Sequence, residues 1–333
     1  MSLLESVWYQ HRWYHWPLLC LLAPLSGLFW VLSALRRRAF VSGLKQAEKV
    51  SVPVVIVGNI SVGGNGKTPL VIYLAQWLSQ EGYQPGILSR GYGGKSKHYP
   101  LSVTTDSLAL DVGDEPVMMR QHVLCPMVVD PLRSRGALML IEQHKCNVIL
   151  CDDGLQHYAL ERDIEIVVMD GKRRWGNGFL LPMGPLREGR WRLDSADFVV
   201  LNGGLATRGE HLMSLVPERL VNVKDPRQSK SLADLSEPVI AAAGIGNPQR
   251  FFALLAAKQV KLKACLSFAD HYQFGKDDLP QETVLMTEKD AVKCRYFAHD
   301  DWWYLPVSAK LNEQFKQGFL RKIKTLDKYS MDN

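Results

Sequence analysis

The apolar run Val54-Val55-Ile56-Val57 enters Gly58-Asn59-Ile60-Ser61-Val62-Gly63-Gly64-Asn65-Gly66-Lys67-Thr68-Pro69, and Leu70 to Ser79 behind it carries helical periodicity. A strand, a glycine-rich turn and a helix in that order put the helix N-terminus against whatever the turn holds. Glycines let backbone N–H groups turn inward and approach an anion closely. The lysine adds a point charge, and the threonine hydroxyl suits a hard divalent cation. The turn therefore reads as a cradle for a nucleoside triphosphate, with Ser61, Gly63, Gly64, Asn65, Gly66, Lys67 and Thr68 as its candidate binding residues. The general form of this loop has glycine five residues before Gly66, where this chain has Ser61.

Apolar strands then alternate with helical segments at Gln84–Leu88, Met127–Val129, Asn147–Cys151, Ile164–Met169 and Phe198–Asn202. That alternation predicts an α/β fold, a parallel sheet flanked by helices on both faces, with ligands beyond the carboxyl ends of the strands. A second cycle begins at Pro238-Val239-Ile240-Ala241-Ala242-Ala243-Gly244 and has a later strand at Val284–Met286. It predicts a second, smaller α/β domain. The polar stretch Lys224–Glu237 marks the boundary, giving an anchor over 1–40, a nucleotide-binding body over 50–225 and a closing domain over 235–333.

The amino terminus has a different character. Trp16 to Leu35 carries no charged residue and is followed at once by Arg36-Arg37-Arg38. Its length is near the roughly 20 residues that cross a bilayer, and the arginines would stay on the cytoplasmic side. Trp8, Tyr9, Trp13, Tyr14 and Trp16 supply an interfacial aromatic cluster, whereas Pro17, Pro24 and Gly27 favour a helix lying in the interface, so spanning and monotopic anchors both stand. The net charge of +6 suits an acidic substrate or an anionic membrane, and no basic block is dense enough for nucleic acid. The six cysteines lack metal or redox spacing, which fits a reducing compartment.

The strand before Asp152-Asp153-Gly154 places two carboxylates beside the phosphate loop. Mg²⁺ takes oxygen ligands, so Thr68 with Asp152 or Asp153 is the candidate metal set. Gly113-Asp114-Glu115-Pro116 opens a helix, with Asp114 as a candidate general base for an attacking hydroxyl. Arg90, in Ser89-Arg90-Gly91-Tyr92-Gly93-Gly94, and Arg133, Arg135 and Arg187 on later loops are candidate partners for a second anionic ligand. Thr287-Glu288-Lys289-Asp290 would line a base or substrate pocket, and a charged turn explains it as well. His271 in Asp270-His271-Tyr272 carries no strong signal alone.

Taken in order with Asp152-Asp153-Gly154-Leu155-Gln156-His157 and Leu181-Pro182-Met183-Gly184-Pro185-Leu186-Arg187-Glu188, these motifs resemble the tetraacyldisaccharide 4'-kinases, the lipid A 4'-kinases of Gram-negative bacteria, over nearly the whole chain. Ser61 fits what that family looks like. The resemblance implies a P-loop kinase that moves the γ-phosphate of ATP, with Mg²⁺, to the 4'-hydroxyl of a tetraacylated glucosamine disaccharide 1-phosphate. It implies the cytoplasmic face of the inner membrane, and it implies that Asp114 and His271 act together across a domain cleft, with Lys67 stabilising charge on the transferred phosphate. Arg90, Arg133, Arg135 and Arg187 would meet the substrate's 1-phosphate. The rival class is a membrane-associated nucleotide switch or partitioning ATPase without a lipid acceptor. The chain lacks the Asn-Lys-x-Asp guanine-reading motif such a GTPase would use.

Overall fold

The computed structural model describes residues 3–10 and 12–331; Met1, Ser2, His11, Asp332 and Asn333, including the outer ends of the 1–40 and 235–333 ranges, lie outside the described residues. A short helix α1 (Leu3–Tyr9) precedes the long apolar helix α2 (Trp16–Val41). Strand β1 (Val54–Gly58), helix α3 (Lys67–Gln80) and strand β2 (Pro85–Ser89) bracket the glycine-rich turn as its composition requires. An edge strand β3 (Leu101–Ser102), helices α4 (Ala109–Val112) and α5 (Asp114–Arg120), strand β4 (Met127–Val129), helix α6 (Arg133–Glu142) and strands β5 (Val148–Asp152) and β6 (Ile164–Asp170) follow. Helix α7 (Trp191–Asp194) leads into β7 (Phe198–Asn202) and β8 (Glu210–Pro217).

The chain then builds a second sheet from β9 (Leu220–Asn222), β10 (Ser229–Lys230), β11 (Val239–Ala243), helix α8 (Pro248–Ala257), β12 (Leu262–Ser267), β13 (Val284–Thr287), helix α9 (Glu288–Cys294) and β14 (Trp302–Leu305). It returns through β15 (Val307–Leu311) and helix α10 (Glu313–Met331). The first sheet runs β15-β8-β7-β6-β1-β5-β2-β4-β3 and the second β10-β9-β14-β13-β11-β12. From β8 to β4 the first sheet is parallel, and β15 and β3 close its edges antiparallel.

Both faces of the first sheet are covered, which is why its strands read as unbroken apolar runs rather than alternating ones. On one face Leu70, Leu74 and Leu78 of α3 form a stripe at four-residue spacing beside Phe315, Phe319 and Ile323 of α10, all fully buried. Each buried side chain of this size contributes roughly 1.5–3 kcal/mol. The opposite face is closed by Ala137 and Leu140 of α6 with Leu155, Leu160 and Leu186.

The expected division at 225–235, with the smaller domain running to 333, differs from the observed path. Asn222 caps a tight turn by accepting from the Lys224 and Asp225 amides, at 3.0 and 2.9 Å, so the polar stretch is a hairpin inside the second body rather than a linker. The apolar stripe of α10 faces the first sheet and draws 307–331 back to it. The two crossings lie side by side, the Glu218 amide donating to the Pro306 carbonyl at 3.0 Å.

Away from these crossings the bodies meet through ion pairs, including His122 Nε2 to Glu288 Oε1 at 2.6 Å. The hydrogen bond that His122 donates to Glu288 raises the His122 pKa above its ordinary 6.5, against the lowering effect of burial. A raised histidine pKa contributes stability that is full below the unfolded value and lost as pH rises through the folded one. The gap in thermal midpoint between wild type and His122→Ala is therefore expected to be wide near pH 6 and to narrow toward pH 9. A gap independent of pH would exclude this pair as a titrating contact.

Candidate active site

The register of the first sheet assembles the site. Val57 of β1 lies opposite Asp152 of β5, so the glycine-rich turn and the Asp152-Asp153 pair leave the sheet side by side. Gly66 closes the turn at φ +94°, and a Cβ there would sit 2.2 Å from Asn202 Nδ2, so this position requires glycine. Ser61 has a physical role that the general loop pattern does not predict: its hydroxyl accepts from Asn65 Nδ2 at 3.2 Å, and the same amide reaches the Gly63 carbonyl at 3.4 Å. Asn202 Nδ2 donates to the Asn65 carbonyl at 3.1 Å. The cradle is thus pinned from inside, with Lys67 and Thr68 in the first turn of α3.

Lys67 Nζ stands 3.4 Å from Asp153 Oδ1, and Arg187 Nη1 stands 3.3 Å from Asp153 Oδ2. Burial pushes the Asp153 carboxyl up, but Lys67 and Arg187 outweigh it and hold the pKa below the usual range. Asp152 behaves oppositely. Burial, with the charges of Glu115 and Asp153, pushes it up to about 7 against the pull of Lys67 and Arg133. Its Oδ1 is buried with no hydrogen-bond partner. An orphaned carboxylate oxygen at a strand end beside the glycine-rich turn fits a hard divalent cation. No cluster of three or more His, Cys, Asp or Glu exists among the described residues to hold a metal without help. Oxygens from a bound triphosphate would complete the set, which is the manner in which Mg²⁺ binds.

The second body supplies the facing wall. Asp114, at the start of α5, is 7% exposed and its Oδ2 lies 3.2 Å from Nδ1 of His271. Lys289 Nζ is 3.2 Å from His271 Nε2 and 2.9 Å from Glu115 Oε1. An ammonium group only donates, so Nε2 accepts and the ring proton sits on Nδ1, donating to Asp114. Burial pushes the Asp114 carboxyl up, but the His271 hydrogen bond and the charges of Lys289, His271 and Lys293 carry it below its ordinary value. His271 is raised chiefly by its bond to Asp114, while burial and Lys289 oppose a second proton. Asp153 and His271 both adopt left-handed backbone, at φ 49° and 59°, a conformation uncommon outside glycine.

One cavity of about 1250 Å³ joins these parts. Its walls include the loop from Gly63 to Thr68, Asp152, Asp153, His271 and Lys289, and Phe29, Leu32 and Arg36 of the apolar helix. His271 lies on the wall, and Asp114 sits behind it. Ile72, Leu215, Val307, Phe251 and Leu254 give the cavity an apolar end beside the two chain crossings, suited to a flat aromatic base.

Arg90 and Arg187 line the cavity. Arg133 also reaches it, but its guanidinium is buried and donates to the Leu88 and Asp152 carbonyls at 3.0 and 2.7 Å, fastening two strand ends. Arg135 is elsewhere, forking Asp130 at 2.7 and 2.8 Å, so the structure does not bring it to the other three. Arg36 and His157 are cavity residues the sequence did not single out for this wall. Burial and the surrounding arginines, Arg133, Arg162, Arg36 and Arg90, depress His157 to about 4, so it is neutral near pH 7. The triple arginine after the apolar run was the available signal for Arg36. Nothing local in the sequence marks Asp170, Asn247 or Arg250, which meet beside the loop from opposite bodies.

Residues 18–324 match the family model described as Tetraacyldisaccharide-1-P 4'-kinase. A Tetraacyldisaccharide 4'-kinase of Pseudoalteromonas atlantica is 64% identical over 303 residues, covering 91% of this chain and 99% of that one. One of Shewanella denitrificans is 49% identical over 330 residues, covering 97% of each. The crystal structure of LpxK from Aquifex aeolicus in complex with ATP has the same fold, with a TM-score of 0.75 and 31% identity over 92% of this chain and 99% of that one.

Proposed function

This chain belongs to the tetraacyldisaccharide-1-P 4'-kinase family, and from that premise we propose that phosphoryl transfer takes place in the cleft between its two sheets. It is an ATP-dependent lipid kinase that phosphorylates the 4'-hydroxyl of a tetraacylated glucosamine disaccharide 1-phosphate in lipid A biosynthesis. The observation that carries the placement is the continuity of one cavity from the phosphate loop to Phe29 and Leu32 of an apolar helix. A nucleotide at one end and acyl chains at the other share a single space.

ATP would lie with its base in the apolar end and its phosphates in the cradle, where loop amides and Lys67 meet charge spread over the γ-phosphate. Thr68 and Asp152 would hold Mg²⁺, with Asp153 in reserve beside Lys67; the ion supplies neutralisation of phosphate charge and alignment of the reacting oxygens. Asp114 and His271 act as one proton-accepting unit. The hydroxyl meets His271 at the wall and takes the place of Lys289 at Nε2; its proton passes to Nε2 as the bond to phosphorus forms, and the ionised Asp114 behind the ring, still accepting from Nδ1, stabilises the imidazolium. Arg90 and Arg187 would face the substrate's 1-phosphate. Closure of the two bodies excludes water from this chemistry.

Detergent-solubilised protein should move labelled γ-phosphate from Mg-ATP to a tetraacyl disaccharide 1-phosphate, and a folded, ATP-binding preparation giving no labelled lipid would overturn the assigned acceptor. In the same assay chelation should abolish transfer. Asp152→Asn should raise the Mg²⁺ concentration needed for half-activity about tenfold or more, as loss of a ligand does. An unchanged Mg²⁺ requirement would remove Asp152 from the metal set.

Helix α2 is long and apolar enough to cross a membrane, and only 6% of its most apolar window is buried. Yet the protein body follows it along its length. Ser26 Oγ donates to the Leu180 carbonyl at 3.0 Å, Arg37 stacks on Trp191 at 4.1 Å, and Trp8 of α1 donates to the Pro182 carbonyl at 3.0 Å. A spanning helix cannot keep a cytoplasmic body at both ends, which supports an anchor lying in the inner membrane's cytoplasmic interface with its outer face in lipid. A Trp13→Cys variant should react with an impermeant thiol reagent in inside-out vesicles alone. Reaction in right-side-out vesicles would instead establish a span.

A further inference from the structure

Asp170, at the end of β6, is 3% exposed and serves as a hub between the two bodies. Its Oδ1 accepts from the Lys172 and Arg173 amides at 2.9 and 3.0 Å, and its own amide donates to Asn65 Oδ1 of the phosphate loop at 3.3 Å. Its Oδ2 accepts from Asn247 Nδ2 at 2.9 Å and forms a short ion pair with Arg250, both from the second body. Arg250 Nη1 goes on to donate to the Gly64 carbonyl at 3.1 Å. Burial pushes the Asp170 carboxyl up, but Arg250 and the loop amides overcome it and keep it ionised.

The backbone repeats the contact. A Cβ on Gly246 would lie 2.4 Å from the Gly64 amide nitrogen, so the second body rests directly on the loop through a residue with no side chain. Arg173 holds that corner from below by donating to the Gly246 carbonyl at 2.9 Å. The loop's Gly63, Gly64 and Asn65 are therefore fixed as much by the second body as by their own strand.

We propose that Arg250 is a nucleotide-positioning residue supplied by the second body: paired with Asp170 and bonded to Gly64, it sets the phosphate loop in its binding conformation. This rests on the reading of the cleft as the ATP site and adds a role for the second body at the opposite end from His271. A glycine-rich loop has many conformations, and only those with amides turned inward bind phosphate. Contacts that preselect them raise affinity for ATP without touching the acceptor. The paired charges also explain why the arginine needs a buried carboxylate partner: a fork held at two points is fixed in direction, where a free one would wander.

Equilibrium binding of a fluorescent ATP analogue, together with steady-state kinetics in both substrates, tests this on the full chain. Arg250→Ala is expected to weaken nucleotide binding and raise KM for ATP about tenfold, the loss of charge-assisted bonds, with KM for lipid and kcat changed less than about threefold. Arg250→Lys should recover part of the loss, because an ammonium can reach one of the two acceptors. Gly246→Ala should give the same signature by pushing the corner off the loop. Unchanged nucleotide binding in Arg250→Ala overturns the proposal, and so does an equal rise in both KM values, which would mark a general loss of structure. If wild type binds the analogue yet phosphorylates no lipid, the kinase reading fails while a binding shift in Arg250→Ala still upholds the positioning role.

Discussion

Asp114→Asn is expected to lower turnover by about 10²–10⁴-fold, the range for loss of a positioned acid–base group, while ATP binding stays within about threefold of wild type. The amide keeps the volume of the carboxyl, so the packing at the start of α5 survives. It removes the negative charge that holds the proton on His271 Nδ1, and its nitrogen offers that ring a donor where an acceptor stood. The imidazole then presents the wrong tautomer to Lys289 and to the incoming hydroxyl. His271→Gln separates the two members of the unit. If the carboxylate alone is the acceptor, His271→Gln loses less than Asp114→Asn; if the ring relays the proton from the cavity wall, the two losses match. Unchanged turnover in Asp114→Asn would end its role as base. Nucleotide affinity is a useful control because Asp114 opens α5, whereas the glycine-rich turn lies between β1 and α3.

The strand, glycine-rich turn and helix of this candidate site were legible because their geometry is local. A strand, a turn and a helix in sequence are a strand, a turn and a helix in space, and Gly66 must be glycine for reasons found within its neighbourhood. Asp152-Asp153 was legible by the same logic, since parallel strands end on one side of a sheet. His271 was not legible on its own. Its position depends on a second sheet closing over the first, and only the family resemblance linked it to Asp114. Asp170 and Arg250 lie 80 residues apart and each looks ordinary in sequence. Their meaning comes from docking two bodies, which no periodicity records. The polar run at 224–237 was misleading for a related reason: loops that end a domain and hairpins within one use the same residues. Arg135 shows the converse, for a loop arginine looks alike whether it faces a ligand or folds back on Asp130.

Lys67→Ala should remove transfer more selectively than it removes the fold. Lys67 Nζ is 3.4 Å from Asp153 Oδ1, and Asp153 retains Arg187 at 3.3 Å when the lysine is gone, so Asp153 is not left unpaired. Thermal stability should accordingly change little. In the resting protein the lysine is engaged by a carboxylate, and phosphate oxygens must compete for it. Its contribution therefore grows as charge spreads over the transferred group, which places the effect on kcat more than on ATP affinity. Loss of one such stabilising donor lowers turnover by about 10²–10³-fold. Lys67→Arg should recover little, because a planar guanidinium needs more width than a point charge and the turn behind it is closed by Gly66 against Asn202. Should Lys67→Ala instead raise KM for ATP and leave kcat intact, the lysine would be binding ground-state phosphate uniformly. The stabilisation of the transition state would then have to come from the loop amides and the metal, and the exchange between Asp153 and phosphate would have no kinetic consequence.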